Sequence, residues 1–211
     1  SYGNIWIATD NGLDFLNIDT DTIIRMKDVN DKYNLGNLKI TVLLKSSYDE
    51  NIMWVGTENG LMKIDTKDKA IKSFYHDSKD SSSLTNSSIT CLEEDEKGSL
   101  WVGTRKGLNI IYKDSKIYNK QYHIRDDRLF ISHISKDSDR NLWISTKDGI
   151  FVYNTSENQK NHIYMIDSIG TKKYNINERT YDDIYTFKNN NIKFYNNFIF
   201  NDSKDNTWIS S

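Results

Sequence analysis

The sequence contains no proline and only one cysteine in 211 residues, and no apolar run is long enough for a transmembrane helix. A single cysteine excludes an internal disulfide, and we expect Cys91 to be a small buried side chain in a strand. No signal-peptide pattern is present, and the four histidines have no metal-ligand spacing. The net charge of −2 gives no indication of a nucleic-acid surface. The missing proline, beside abundant Asn, Lys and Ile, indicates compositional bias.

What the chain does have is one short pattern that occurs five times. Its most complete copy is GSLWVGTRKGLNIIY, residues 98–112, and the last copy is cut off at Ser211. Every copy has a tryptophan at the same place, at intervals of 42 to 65 residues. The tryptophans are Trp6, Trp54, Trp101, Trp143 and Trp208. A period in the forties with one aromatic residue per unit is typical of a repeat architecture.

Each copy predicts a β-hairpin. In the third copy, Leu100 and Val102 alternate with Trp101 and Gly103, so the two pairs lie on opposite strand faces, and neither face is polar. The residue two after each tryptophan is small, and we expect it to leave room for the indole. The next residue is always a hydroxyl, as in Thr104.

A glycine follows each of the first four tryptophan strands and marks a tight turn. The glycines are Gly12, Gly60, Gly107 and Gly149. Three of them follow Asn or Asp, and such pairs favour a two-residue primed hairpin turn, in which the central residues take positive φ.

Short strands flank each hairpin, so one period is four antiparallel strands. We predict inner strands at 40–44, 88–92, 130–134 and 198–200, and outer strands at 22–26, 72–75 and 117–122. A sheet with two apolar faces is stable only when neighbouring sheets cover both faces, which a radial stack provides. The sequence therefore predicts an all-β fold, a β-propeller with about four to five blades of four strands.

Residues 1–211 form one propeller fragment in this interpretation. The hairpins are at 3–17, 51–65, 98–112, 140–154 and 205–211. Because the sequence opens and stops within the repeat, we expect a fragment of a longer propeller. The stretch near 168–191 breaks the period, and it is either an insertion loop that carries function or a degenerate extra hairpin.

Residues 83–112, SLTNSSITCLEEDEKGSLWVGTRKGLNIIY, resemble the two-component regulator propeller repeat. The shared features are Ser-Leu before the inner strand, Asp before the turn, Trp-Val-Gly-Thr in the strand and Gly-Leu after the hairpin. The second copy lacks the glycine before its tryptophan strand, and the fourth has Ser145 where the family prefers glycine. The resemblance implies an extracytoplasmic sensor region of a membrane-anchored histidine kinase, hybrid two-component sensor or diguanylate cyclase.

No catalytic constellation is apparent, and we predict no cofactor and no metal. The run from Asp137 to Asn141 is similar to the start of a calcium loop but lacks its glycine, so we expect a polar hairpin turn. The acidic run from Glu93 to Glu96 precedes a turn, and we expect it to be solvated rather than to hold an acid/base pair.

The turns after the tryptophan strands and the connections between blades are expected at one end of the ring, where propellers usually bind ligands. The turn residues differ in charge while the strands repeat, which is what recognition requires. The alternative for each of them is an ordinary hydrophilic turn residue. The expected ligand-binding positions, called the rim residues below, are Asp10, Asn11, Glu58, Asn59, Arg105, Lys106, Lys147 and Asp148.

These observations favour a ligand-sensing module without chemistry of its own. The partners implied by the resemblance are an extracellular small molecule or glycan and the rest of the receptor chain, which holds the membrane spans and a kinase or cyclase output domain. A homodimer stays open, and we expect no nucleic acid and no membrane contact within this fragment. One alternative is a propeller enzyme of the lyase or glycosidase kind, in which His133 and Asp137 would be tested first. The other is a protein-interaction scaffold.

Overall fold

The computed structural model describes residues 5–25, 38–68, 70–113, 117–118, 130–147, 149–154, 163–166, 170–175, 180–186, 199–201 and 207–209. All regular structure in these ranges is β-strand. The strands are β1 (Ile5–Thr9), β2 (Gly12–Asn17), β3 (Thr22–Arg25), β4 (Ile40–Lys45), β5 (Ile52–Thr57), β6 (Gly60–Asp65), β7 (Ala70–Phe74), β8 (Ile89–Glu94), β9 (Leu100–Thr104), β10 (Gly107–Ile111), β11 (Ile117–Tyr118), β12 (Ile131–Lys136), β13 (Asn141–Thr146), β14 (Gly149–Asn154), β15 (Ile163–Ile166), β16 (Gly170–Asn175), β17 (Thr180–Thr186), β18 (Ile199–Asn201) and β19 (Thr207–Ile209).

The strands form five sheets in which neighbours along the chain are also neighbours in space. The first blade is β1 to β3, the second β4 to β7, the third β8 to β11, the fourth β12 to β17 and the fifth β18 to β19. All the pairings are antiparallel. The second and third blades have the predicted four strands, and the prediction of an all-β propeller is confirmed.

The predicted inner strands are present, and all four extend beyond their predicted ends. β4, β8, β12 and β18 end at Lys45, Glu94, Lys136 and Asn201. The predicted outer strand at 117–122 is described only as Ile117–Tyr118, and the rest of it lies outside the described residues.

The stretch that breaks the period continues the fourth sheet. β16 pairs with β15 on one side and with β17 on the other. Residues 170–186 therefore contribute two strands at the outer edge of that blade. A functional role for this stretch stays a prediction.

The core lies between adjacent blades. One apolar cluster joins Trp54 of the second blade to Leu92 of the third. Another joins Trp101 of the third blade to Ile134 of the fourth. The inner strand β8 contacts both β4 and β12, so the third blade buries both of its faces against neighbours, as a radial stack requires.

Of the four tryptophans whose side chains are described, two are buried and two are half-buried. Trp101 is only 2% exposed, and its ring centroid lies 5.0 Å from that of Tyr153 in the next blade. Trp54 is also buried, while Trp6 and Trp143 are half-buried. Trp208 lies on β19, and its side chain is outside the described residues.

The small residue after the tryptophan has a different reason from the predicted one. A Cβ on Gly103 would lie 2.8 Å from Cγ2 of Ile131, at the start of the next inner strand, and would also collide with Cys91. At Gly56 the corresponding neighbour is Ile89 Cγ2, at 2.7 Å. The space is therefore taken by a side chain of the same blade's inner strand, Cys91 or Val42, and by an isoleucine of the next blade. The expectation that the indole needs it was wrong.

The hairpin turn lies one residue earlier than predicted. Thr104 pairs with Gly107, so the loop residues are Arg105 and Lys106, and the glycine begins the return strand. Among the described non-glycine residues only Asp21 and Arg140 have positive φ, so the primed turn was wrong. The invariant hydroxyl holds the turn instead: Thr104 Oγ1 donates to Gly107 O at 2.8 Å and accepts from Lys106 N at 3.1 Å.

Candidate functional site

The two ends of the blade ring carry different loops. The tryptophan strands run towards one end, called the turn end below, and the connection at residues 75–88 lies there too. Arg105 N donates to Ser88 O at 3.1 Å, and Glu58 N donates to Lys39 O at 3.2 Å. Turns and blade connections therefore meet at this end, as predicted from the sequence.

An ion-pair group joins neighbouring blades at the turn end. Glu58 Oε1 lies 3.1 Å from Lys39 Nζ and 3.6 Å from Arg105 Nη2. All three side chains are well exposed, between 39% and 62%. Of the rim residues, the structure thus brings Glu58 and Arg105 together.

The remaining rim residues are exposed or not described. Asp148 lies outside the described residues. The exposed ones are Asp10, Asn11, Asn59, Lys106 and Lys147. Sequence reasoning missed Lys39, although its place directly before an inner strand was a signal, since that place belongs to the turn end.

The connection at 75–88 is fixed by a buried amide. Asn109 is fully buried, its Oδ1 accepts from Thr85 N at 2.8 Å, and its Nδ2 donates to Thr85 Oγ1 at 3.0 Å. The neighbouring Leu84 is also fully buried in the core between the second and third blades. His76 Nδ1 lies 2.6 Å from Leu84 O. The Ser-Leu part of the repeat is therefore an anchor that holds the loop on a rigid surface.

The opposite end is organised by carboxylates that accept from the indoles. Trp101 Nε1 donates to Asp95 at 2.9 Å, and Trp143 Nε1 donates to Asp137 at 2.7 Å. In both blades the aspartate lies six residues before the tryptophan. Buried indole N–H groups need such partners.

The second blade departs from this arrangement. Tyr48 stands six residues before Trp54, so no aspartate of that blade occupies the position. Trp54 Nε1 donates instead to Oε1 of Glu94, in the third blade, at 3.2 Å, while Ser47 N donates to Oε2 at 2.7 Å. Glu94 thereby joins the two blades.

The expectation that the acidic run at 93–96 is solvated was wrong for two of its members. Glu94 is 4% exposed and Asp95 is 5% exposed. Asp95 Oδ1 accepts from Ser99 N at 2.9 Å, besides the bond from Trp101 to Oδ2. Both are hydrogen-bonded structural groups, because a buried carboxylate needs donors around it.

Asp137 heads a polar hairpin turn, as expected. Its Oδ1 accepts from Asn141 N at 2.7 Å, and its Oδ2 accepts from Asn141 Nδ2 at 2.9 Å and from Trp143. Arg140, with φ of 66°, stands where the third blade has Gly98, with φ of 73°. Both carboxylate oxygens of Asp137 are thus engaged in the turn.

Three buried or half-buried groups have shifted pKa values. Burial raises the pKa of the Cys91 thiol to about 12, so it is not a thiolate nucleophile at neutral pH. Burial also raises the pKa of Glu93, although Lys136 opposes the shift. Burial lowers the pKa of Lys136, but its hydrogen bond to Glu96 and the negative charges of Glu96 and Glu93 together outweigh burial, so the pKa is raised. The Lys136 ammonium lies 3.1 Å from Glu96 Oε1.

Comparison with known proteins supports the assignment of the repeat. Residues 83–106 match the two component regulator propeller family, which confirms the resemblance predicted from the sequence. The chain is a β-propeller that carries this repeat. No curated protein sequence matches the chain.

Several solved structures share the fold. The extracellular domain of a putative hybrid two component system from B. thetaiotaomicron is 18% identical with a TM-score of 0.57, over 99% of this chain and 31% of that one. The extracellular domain of a putative one component system from the same organism is 19% identical with a TM-score of 0.59, over 99% of this chain and 30% of that one. Virginiamycin B lyase from Staphylococcus aureus is 15% identical with a TM-score of 0.53, over 99% of this chain and 80% of that one.

The 211 residues thus span less than a third of the two extracellular domains. Sensor domains and lyases both occur among the similar folds, so the fold by itself does not assign a function. Within the described ranges, no helix is long and apolar enough to cross a membrane.

Proposed function

We propose that the chain is the ligand-sensing propeller of a bacterial two-component-type receptor. It lies outside the cytoplasm and binds a small molecule or glycan at the turn end. The signal passes to a kinase or cyclase output domain elsewhere in the receptor. The observation that carries the proposal is the contact of Glu58 with Lys39 and Arg105, because it joins the variable turns of neighbouring blades into one polar surface.

The chemistry of this surface suits a reversible ligand. Exposed ion pairs contribute at most about 1 kcal/mol each. A ligand with hydroxyl or carboxylate groups can therefore exchange with them at little cost to the fold. The blades below keep their positions, because Asn109 and Leu84 fix the adjoining connection.

The signalling role draws support from the similar structures, several of which are extracellular domains of two component or one component systems. The engagement of both Asp137 oxygens in a turn argues against a catalytic role for that residue. A general acid or base needs an oxygen within reach of the substrate proton.

The test is a panel of glycans and metabolites screened by calorimetry against the chain and a rim variant, Arg105→Ala with Lys106→Ala. We expect the variant to bind the selected ligand roughly tenfold more weakly, as the loss of two charged contacts does. Its melting temperature should stay close to that of the wild type, because both side chains are exposed.

The matched control removes two exposed lysines at the opposite end, Lys45→Ala with Lys67→Ala. This variant has the same change in charge and should keep full affinity. Equal affinity of the rim variant and the wild type would remove Arg105 and Lys106 from the site.

A further inference from the structure

A cleft of about 310 Å³ opens at the end of the ring away from the rim residues, between the second and third blades. Its floor is formed by the buried side chains of Ile52 and Ile111. Three aromatic residues line it, Tyr48, Trp54 and Tyr112. A cavity of this size, lined by polar and apolar side chains in similar measure, has the dimensions of a small-molecule site.

The cleft arises where the repeat is irregular. Tyr48 replaces the aspartate that the next two blades have before the tryptophan, and its ring lies against the third blade, where a Cβ on Gly98 would be 3.3 Å from Tyr48 Cγ. Between the third and fourth blades Trp101 is bonded to its own Asp95. The cleft therefore lies where the second blade departs from the aspartate–tryptophan bond of the next two blades.

The inner end of the cleft offers a hydrogen-bond acceptor. Glu94 lines it, is 4% exposed, and accepts from Trp54 Nε1 and Ser47 N. A carboxylate has about four lone-pair positions, so one donor on each oxygen leaves room for more. A ligand that reaches Glu94 must supply O–H or N–H groups.

The outer part of the cleft offers cations. Lys63 Nζ lies 5.5 Å from the centre of the Trp54 ring, and Lys113, which is exposed, also lines the opening. Asp49 is the other exposed charge along the lining. The indole of Trp54 thus has the Glu94 acceptor at its edge and a cation over its face, and both groups line the same cleft.

We propose that this cleft binds an aromatic acid that carries a hydroxyl or amino group, the class of 4-hydroxybenzoate and 4-aminobenzoate. The ring contacts the aromatic walls and the isoleucine floor. Its hydroxyl or amino group donates to Glu94, and its carboxylate faces Lys63 and Lys113. The site lies at the opposite end from the rim residues, so a test of this proposal is independent of the proposed ligand-sensing surface.

Ligand-detected NMR titration of the chain tests the class with four probes. 4-Hydroxybenzoate should bind, and benzoate, which lacks the inner donor, and phenol, which lacks the acid, should each bind more weakly. Glucuronate has hydroxyls and an acid on a non-planar ring. Its binding as tightly as 4-hydroxybenzoate would overturn the aromatic class. Equal binding of 4-hydroxybenzoate and benzoate would overturn the hydrogen bond to Glu94, and with it the hydroxyl or amino group of the proposed class.

Two variants locate the bound probe. Lys63→Met keeps the aliphatic stem and removes the charge, and we expect it to weaken 4-hydroxybenzoate binding about two- to fivefold, as the loss of one partly exposed ion pair does. Lys72→Met is the matched control, because Lys72 stands opposite Lys63 on the neighbouring strand. Its ammonium lies over the Phe74 ring, and Lys72 does not line the cleft. Equal affinities of these two variants would overturn the placement, and so would weakening by Arg105→Ala with Lys106→Ala.

Discussion

Replacing Trp101 by alanine should destabilise the chain by about 3–5 kcal/mol, the usual cost of removing a large aromatic side chain from a core. The indole is 2% exposed and contacts Tyr153 of the next blade. Burial of roughly 150–250 Å² at about 25 cal/mol per Å² gives a gross contribution of about 4–6 kcal/mol. Partial collapse of the neighbouring blades recovers some of that. In a domain of this size each kcal/mol lowers the melting temperature by about 2–4 °C, so we expect a drop of roughly 6–20 °C.

Two further variants separate the contributions to this effect. Trp101→Phe keeps most of the packing but leaves Asp95 Oδ2 without the indole donor, which should cost about 1–3 kcal/mol because Asp95 is buried. Trp6→Ala is the matched control at a half-buried repeat position, and it should cost clearly less than Trp101→Ala.

Urea unfolding followed by circular dichroism, with slopes compared among the variants, is the suitable assay, because stacked repeats do not always unfold as one unit. Equal losses for Trp101→Ala and Trp6→Ala would refute the reasoning, since burial between blades would then not determine the stability. A Trp101→Ala melting temperature within about a degree of wild type would refute it as well.

Two other substitutions test the packing and the electrostatics of the third blade. Gly103→Ala should cost about 1–3 kcal/mol in urea unfolding, because its Cβ would collide with Cys91 of the same blade and lie 2.8 Å from Ile131 Cγ2 of the next; an unchanged midpoint would show that the packing around Gly103 adjusts without cost. Glu93→Gln should raise stability near neutral pH, because burial raises the pKa of Glu93 in the folded state and ionisation there opposes folding. The wild type loses stability as the pH rises through the folded-state pKa of Glu93, because the buried carboxyl then ionises. The free energies of unfolding of the two proteins should therefore converge below pH 4.5, the ordinary pKa of a glutamate. A difference in free energy that stays constant across pH would contradict the assignment.

The sequence predicts the propeller because its determinants are local. Alternation around each tryptophan sets the strand faces, and the glycine after each strand marks the turn. The turn type was not predicted because it depends on a side-chain contact. Thr104 Oγ1 donates to Gly107 O and accepts from Lys106 N within its own loop. In this turn Gly107, and not Lys106, has positive φ. A pattern of turn residues alone does not contain that contact.

The burial of the acidic run could be predicted only in part. The six-residue interval from Asp95 to Trp101, repeated from Asp137 to Trp143, was visible in the sequence and indicates an indole acceptor. Glu94 gave no such signal, because its partner Trp54 lies 40 residues away in another blade. Contacts between blades depend on how the sheets stack, and the period alone does not fix them. For the same reason the rim residues stay a prediction from loop position and variable charge.

The departures from the repeat explain where specific chemistry can arise in this chain. In a regular blade the tryptophan bonds to an aspartate of its own blade, as Trp101 Nε1 donates to Asp95 at 2.9 Å. The second blade lacks that aspartate, so its tryptophan takes an acceptor from its neighbour, and Glu94 is drawn into a buried position with acceptor capacity to spare. Local rules that a repeat breaks are expected to coincide with functional positions. Glu94→Gln therefore bears on both roles of this residue: it should weaken the link between the second and third blades in urea unfolding, and it should reduce the preference of the cleft for 4-hydroxybenzoate over benzoate. A variant that unfolds earlier but keeps the full preference would leave Glu94 with a structural role alone.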